Sequence, residues 1–300
     1  MTKTALILGG NGRFARHSAQ ALRAAGWTTR GFDRSTDDLM QAAKGADLIV
    51  AGWNPPYHLW QAQVLPLHRR VIGAAKASGA TVLLPGNVYN FGETTPAPWG
   101  PDAPQAARNP LGRIRIEMEQ AYRDSGVQTI ILRMGDFIDT EASGNWFDMF
   151  IAKTAQKGAI RYPGREDIPH AWAYLPDAAR AAAALADRRA DLPIYSDIPF
   201  AGYTLTGRAL AAALSRALGR DVACKQMAWW WLKPMRFVMP ILKGVLEMRY
   251  LWNTPHWLDA GPMARALPDF QPTPAEEALR AALGVRAPEA RLAEGAAQAV

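Results

Sequence analysis

Apolar residues in this chain fall into short unbroken runs separated by stretches with helical spacing. TALIL, Thr4 to Leu8, enters the cluster Gly9, Gly10 and Gly12, and a helical pattern follows from Arg13 to Ala25. Thr28 to Phe32 reads as a second strand ending at Asp33, and Asp47 to Gly52 (DLIVAG) as a third that stops abruptly at Trp53, Asn54, Pro55 and Pro56. A helix from Leu59 to Ser78, a strand from Thr81 to Leu84, a helix from Leu111 to Asp124 and a strand from Gln128 to Arg133 continue the series. Unbroken apolar runs mark strands buried on both faces. The alternation therefore predicts an α/β fold, a Rossmann-type doubly wound parallel sheet with right-handed crossovers and a ligand crevice at the strands' C-terminal ends.

Farther along, a helix is expected over Trp146 to Gln156 and a strand over His170 to Leu175. Asp177 is the expected N-cap of an alanine-rich helix from Ala178 to Ala186. Glu93 to Pro110 is rich in proline, glycine and alanine and has no period, so it is either a flap beside the site or a passive connection. From about Leu192 the alternation fades and proline breaks at Pro234, Pro240, Pro255 and Pro268 join short helices. The expected division is a dinucleotide-binding domain over 1–190 and a smaller, mostly helical substrate or lid region over 191–300, with the alanine-rich end after Pro288 expected to fray.

The first turn carries the strongest chemical signal. A residue without a β-carbon at Gly9 lets the chain reverse, Gly12 lets backbone N–H groups approach a pyrophosphate, and the small Ala15 lets the helix pack close on its strand. A carboxylate at the tip of the second strand, Asp33, can accept both hydroxyls of an adenosine ribose and repels the extra phosphate of NADP. Arg34 and Arg13 stand beside it and can neutralise such a phosphate, so NAD is the expected cofactor and NADP the alternative. Asp33 is otherwise a turn residue opening the segment Arg34 to Asp38. The expected cofactor contacts are Gly9, Gly12, Arg13, Phe14, Asp33, Arg34 and Asn54.

Composition narrows the class. The 300 residues, 49% of them hydrophobic, are enough for a substantial core, and a net charge of +7 suits an anionic ligand. The 34 basic residues are dispersed rather than gathered into a stripe, so nucleic acid is not an expected partner. The single Cys224 excludes an internal disulfide, and no Cys/His cluster has zinc spacing, so no metal is expected. Met1 to Lys3 leads straight into the first strand with no signal peptide, which points to the cytoplasm.

With these motifs in place, Thr2 to Ala186 resembles the extended short-chain dehydrogenase/reductase superfamily, in its NAD-dependent epimerase/dehydratase branch. The resemblance implies a Ser/Thr-containing segment ending in Tyr-Gly and a Tyr-x-x-x-Lys pair on the next helix, with the tyrosinate as general acid or base. LLPGNVYNFG, Leu83 to Gly92, is similar to the first segment but places Asn87 at the hydroxyl position. NPLGRIRIEMEQA, Asn109 to Ala121, is similar to the tyrosine helix but carries Leu111 for the tyrosine and Arg115 for the lysine. Leucine cannot exchange a proton, whereas arginine can still anchor a ribose or a substrate anion. Tyr89 is the first candidate to replace the tyrosine, with Asn87 holding a carbonyl oxygen and Arg115 as anchor; Tyr89 packing in its loop and Asn87 making a turn is the competing reading. Tyr174 and His170 lie on a segment that borders substrate in the family. His170 suits either structure or proton transfer, and Asp136 either loop hydrogen bonding or the crevice edge.

Ala228 to Trp252 combines four tryptophans with Lys233, Arg236, Lys243 and Arg249. It is too charged and proline-broken to span a bilayer. Three readings stand: an aromatic lid or core, a wall for a bulky apolar substrate, and a surface for membrane docking or homodimer association. The resemblance implies an NAD(P)-dependent oxidoreductase acting on a carbonyl or alcohol of a small-molecule substrate, sugar-nucleotide or bulky and apolar. The alternative is a non-catalytic NAD(P)-binding sensor or interaction protein with a degenerate site.

Overall fold

Six parallel strands form the central sheet in the order β2-β1-β3-β4-β5-β9. They are β1 (Thr4–Leu8), β2 (Thr28–Phe32), β3 (Leu48–Ala51), β4 (Thr81–Gly86), β5 (Thr129–Arg133) and β9 (Tyr195–Pro199). The computed structural model describes residues 2–141, 143–231, 239 and 241–285. Part of the tryptophan-rich segment, with Lys233, Pro234, Arg236 and Pro240, and the alanine-rich end after Pro288 lie outside these residues.

The apolar runs behave as strands buried on two faces because consecutive side chains point to opposite sides. Leu6, Leu8, Ile49, Val82 and Leu84 join one core cluster with residues of α3 (Trp60–Ser78) and α4 (Pro110–Arg123). Ile7, Leu48, Val50, Leu83 and Ile130 join the other with α1 (Arg13–Ala24) and α6 (Leu175–Asp187). The sequence of strand β1 runs first to β2 on one side and then to β3 on the other. That reversal puts the topological switch point, where ligands sit in such sheets, between the ends of β1 and β3.

The expected division at residue 190 is not where the fold divides. β9 lies beyond it yet completes the central sheet, pairing in parallel with β5. In a second sheet, β10-β8-β6, the central strand β8 (His170–Tyr174) pairs with β6 (Asp136–Ile138) on one side and β10 (Tyr203–Leu205) on the other, and β7 (Ala159–Tyr162) pairs with β11 (Ala223–Gln226). The outer region is therefore assembled from both sides of residue 190, with the C-terminal helices packed beside these two small sheets. Its own core contains Phe147, Trp172, Leu210, Leu214, Trp252 and Leu279. Over Trp146 to Gln156 the expected single α-helix is a π-helical turn, Phe147–Ala152, followed by the short α-turn Lys153–Ala155.

Asp177 is also corrected. The N-cap of α6 is Tyr174, and Asp177 sits buried in the first turn. Its carboxylate accepts the Thr273 N–H at 2.6 Å, the Thr273 hydroxyl at 2.8 Å and Arg180 Nη2 at 2.7 Å. The residue ties the C-terminal chain back to the Rossmann layer instead of capping its own helix.

Candidate functional site

The glycine turn is tightly packed against the end of β3. Gly9 has φ +70°, and a β-carbon there would lie 2.8 Å from the Gly52 carbonyl oxygen. A β-carbon on Gly52 would lie 2.6 Å from the Ala15 β-carbon, so the close helix–strand contact read from Ala15 is present at the switch point. Helix α1 begins after Gly12 with no side-chain cap and no acidic residue in its first turn. The positive end of its dipole is therefore left for an anion. Arg13 extends from this end and donates to the Ser143 carbonyl at 2.5 Å, bridging the cradle to the loop before the π-turn.

The remaining expected cofactor residues divide. Asp33 is exposed at the tip of β2, where its Oδ1 accepts the Ser35 N–H at 2.8 Å and the Ser35 hydroxyl at 2.6 Å, a turn role. These two bonds hold its carboxyl below the ordinary range. Arg34 and Asn54 are exposed in the neighbouring loops. The Phe14 side chain lies in the core beneath α1, so only its main chain faces the turn.

The β4 loop is keyed to a buried charge network. Arg133 uses all its donors. Nε and Nη2 bond Asp197 at 3.0 and 2.6 Å, Nη2 bonds Glu119 at 2.7 Å, and Nη1 bonds the Asn87 carbonyl at 2.6 Å and Asn90 Oδ1 at 3.1 Å. Arg115 belongs to this network as well, with Nη2 on Glu119 at 3.1 Å and on the Pro85 carbonyl at 3.0 Å. Its charge is thus met internally under the sheet rather than offered to the crevice, a placement that the expectation of a ribose or anion anchor did not foresee. Leu111, at the tyrosine position, is a buried core residue.

Asn87 and Tyr89 stand at the C-terminal end of β4. Asn87 Oδ1 accepts the Tyr89 N–H at 3.1 Å, the turn role, and among the described residues nothing engages its Nδ2. The Tyr89 hydroxyl meets the Tyr57 hydroxyl at 2.7 Å. Tyr57 comes from the loop after β3, and sequence reading missed it: two residues 32 apart become neighbours only because β3 and β4 are adjacent in the sheet. Burial pushes both phenols up. They are neutral donors at ordinary pH.

Across the crevice, Asp136 opens β6 and accepts from His170 Nε2 at 2.7 Å. His170 stacks on Trp252 with centroids 4.1 Å apart and planes at 3°, and its ring lies 4.5 Å from that of His256. Trp252, from the tryptophan-rich segment, is therefore part of a packed wall. Trp230 of the same segment is 77% exposed. Tyr174 ends β8, buried in the outer core, and burial raises its pKa. Among the described residues no group of three or more His, Cys, Asp or Glu is placed to hold a metal, and no helix is long and apolar enough to cross a membrane.

Two further histidines make the fold acid-sensitive. Burial, reinforced by Arg115 at His68 and by His170 at His256, pushes each down to about 3. Each folded value lies below the unfolded value of about 6.5, so each contribution is complete above that pH and is lost as pH falls from there towards 3. Urea unfolding measured between pH 8 and 4 should lose stability below about pH 6.5, by up to about 1.4 kcal/mol per pH unit for each site. His68→Gln should flatten part of the slope; an unchanged slope would place the acid sensitivity elsewhere.

No family model matches the chain, and no curated protein matches it. Solved structures share its fold. A putative epimerase from Burkholderia cenocepacia J2315 superposes with a TM-score of 0.70 at 17% identity, covering 94% of this chain and 97% of that one. An NAD-dependent NDP-hexosamine 5,6-dehydratase involved in tunicamycin biosynthesis gives 0.72 at 16%, over 94% and 97% of the two chains. UDP-glucuronic acid 4-epimerase from Bacillus cereus, in complex with UDP-glucuronic acid and NAD, gives 0.70 at 13%, over 94% and 98%. These likenesses establish the doubly wound α/β architecture.

Proposed function

We propose that this chain is an NAD(P)-dependent oxidoreductase of the epimerase/dehydratase kind, acting on a small molecule that carries a carbonyl or alcohol. The observation that carries the reading is the juxtaposition, along one sheet edge, of an uncapped glycine turn at the switch point and a neutral hydroxyl pair, Tyr57 and Tyr89. Structural neighbours that are NAD-dependent or hold NAD support the choice of cofactor. The backbone of Gly9 to Gly12 and Arg13 would hold the pyrophosphate, and Asp33 the adenosine ribose, favouring NAD over NADP. When bound, the nicotinamide supplies the hydride chemistry.

The chain's own residues supply position and hydrogen bonds. With Tyr89 donating to Tyr57, the Tyr57 proton is free to reach a substrate oxygen, and Asn87 Nδ2 supplies a second donor. A nucleotide sugar is the substrate class suggested by structural neighbours that act on or hold one; the aromatic wall around Trp252 equally suits a bulky apolar molecule.

NADH and NADPH titrations followed by a panel of aldehydes, ketones and nucleotide sugars test this reading. Tyr57→Phe should lower kcat/KM about 10²-fold while leaving the NADH Kd within about twofold, since a donor aimed at a developing oxyanion contributes on that scale. Tyr89→Phe should lose less, because it acts through Tyr57. Leu111 in the tyrosine's place favours the other reading, a dinucleotide-binding sensor without catalysis. Saturable NADH binding with no oxidation by any substrate would select it.

A further inference from the structure

We infer that Asp136, held in place by the buried imidazole of His170, is the proton acceptor and donor of the proposed hydride-transfer site, doing the acid–base work that Leu111 cannot do. The inference rests on the oxidoreductase reading and adds to it the group that takes the proton.

The polarity of the pair carries the argument. Asp136 has 30% of its side chain exposed, and His170 only 2%, so the carboxylate meets whatever enters the crevice and the imidazole lies behind it. Their 2.7 Å bond uses His170 Nε2 as donor, and Nδ1 is buried with no hydrogen-bond partner among the described residues. The ring is clamped by the parallel Trp252 face on one side and the edge contact with His256 on the other. It has little freedom to turn away from Asp136. Behind His170, the His256 ring donates Nδ1–H to the Thr254 carbonyl at 2.8 Å, which fixes the edge that meets His170.

Asp136 also has the right neighbours. It lies three residues past the end of β5, on the same sheet edge as Asn87 and Tyr89 at the end of β4. The ionisable groups whose fields it shares are Tyr57 from the loop after β3, Tyr89 after β4, Tyr162 on β7 and His170 on β8, with His256 behind and Arg13 reaching Tyr57 from α1. In the oxidative direction a substrate hydroxyl would give its proton to an Asp136 oxygen while a bound oxidised nicotinamide would supply the hydride acceptor for the same carbon. The balance would be a C=O group, a reduced coenzyme and an Asp136 carboxylic acid that returns its proton to solvent through its exposed side. His170 keeps its proton throughout and is a positioning residue; Tyr57 and Asn87 hold the oxygen.

Three variants test this, with NADH affinity by fluorescence as the common control. Asp136→Asn, which still accepts from His170, should lower kcat by about 10²- to 10⁴-fold with the NADH Kd within about twofold. His170→Phe removes the donor that favours the charged carboxylate, so the Asp136 midpoint should move to higher pH, and the acidic limb of kcat with it; His170→Gln should restore both. The midpoint is read directly by carboxyl ¹³C NMR, with or without turnover, and imidazole ¹⁵N shifts should show His170 as the Nε2–H tautomer. Parent-like kcat in Asp136→Asn, a midpoint indifferent to His170→Phe, or an Nδ1–H tautomer overturns the inference while leaving the oxidoreductase reading standing. Failure of the parent to bind NADH or NADPH overturns that reading, and the inference with it.

Discussion

Glu119→Leu is expected to lower the free energy of unfolding by about 3–5 kcal/mol, the scale on which removing one partner strands a buried charge. Glu119 is 1% exposed and lies between the guanidinium groups of Arg115 and Arg133, with Asn90 Nδ2 as a further donor at 2.7 Å. Leucine fills the volume, leaves Arg133 with Asp197 as its remaining carboxylate and takes from Arg115 the carboxylate it pairs with. Glu119→Gln keeps the acceptor and loses the charge, so it should fall between parent and Leu. Chemical denaturation at pH 7 measures both. A loss under about 1 kcal/mol for Glu119→Leu would mean that water reaches the network and that it does not fix the β4 loop.

The pH dependence of that loss has a definite sign. Burial pushes the Glu119 carboxyl up, but the attraction of Arg133 and Arg115 outweighs it and holds the folded value below the usual one. A carboxyl depressed on folding contributes fully above its unfolded value of about 4.3 and ceases to contribute as pH falls through the folded one. The gap between parent and Glu119→Gln should therefore stay constant from pH 8 to about 5 and narrow only in stronger acid. That separates it from the histidine-driven decline, which starts near pH 6.5.

The network also shows what the sequence does and does not disclose. β1, β3, β4 and β5 were legible because their apolar runs are buried and nearly unbroken, whereas β2, TTRGF, is an exposed edge strand placed by its position after the first helix; each of the five lies within two residues of its expected bounds. β9 was not, because YSDIP buries Ser196 and Asp197, and Asp197 is tolerated only as the partner of Arg133, 64 residues earlier. A strand whose buried positions are polar has no signature until its ion pair is known. The same limit applies to the site. The glycine turn is local and was readable; its agreement with the β1–β3 switch point is a property of one short segment and one crossover. Tyr57 and Tyr89, and Asp136 and His170, are pairs made by strand adjacency. Asp136 and His170 were singled out separately, but nothing in a single sequence says that β6 and β8 are neighbours.

Gly9→Ala is the substitution expected to damage coenzyme binding most, lowering NADH affinity at least about 10²-fold, or roughly 3 kcal/mol. Two effects coincide at this residue. Its φ of +70° disfavours any L side chain by about 1–2 kcal/mol, and the added carbon would stand 2.8 Å from the Gly52 oxygen and 3.3 Å from Trp53 Cδ1. Relief requires the turn to lift away from β3, and that motion carries the N–H groups of Gly10 to Phe14 out of register with a pyrophosphate. Gly26→Ala separates strain from position: Gly26 has φ +83°, but a β-carbon there would meet nothing within 4 Å. It should lose about 1–2 kcal/mol of stability and leave the NADH Kd within about twofold. Calorimetric titration of both variants decides the matter, because equal losses of affinity would show that global destabilisation, not the shape of the turn, weakens binding. Unaltered affinity in Gly9→Ala would remove the dinucleotide from this end of the sheet altogether.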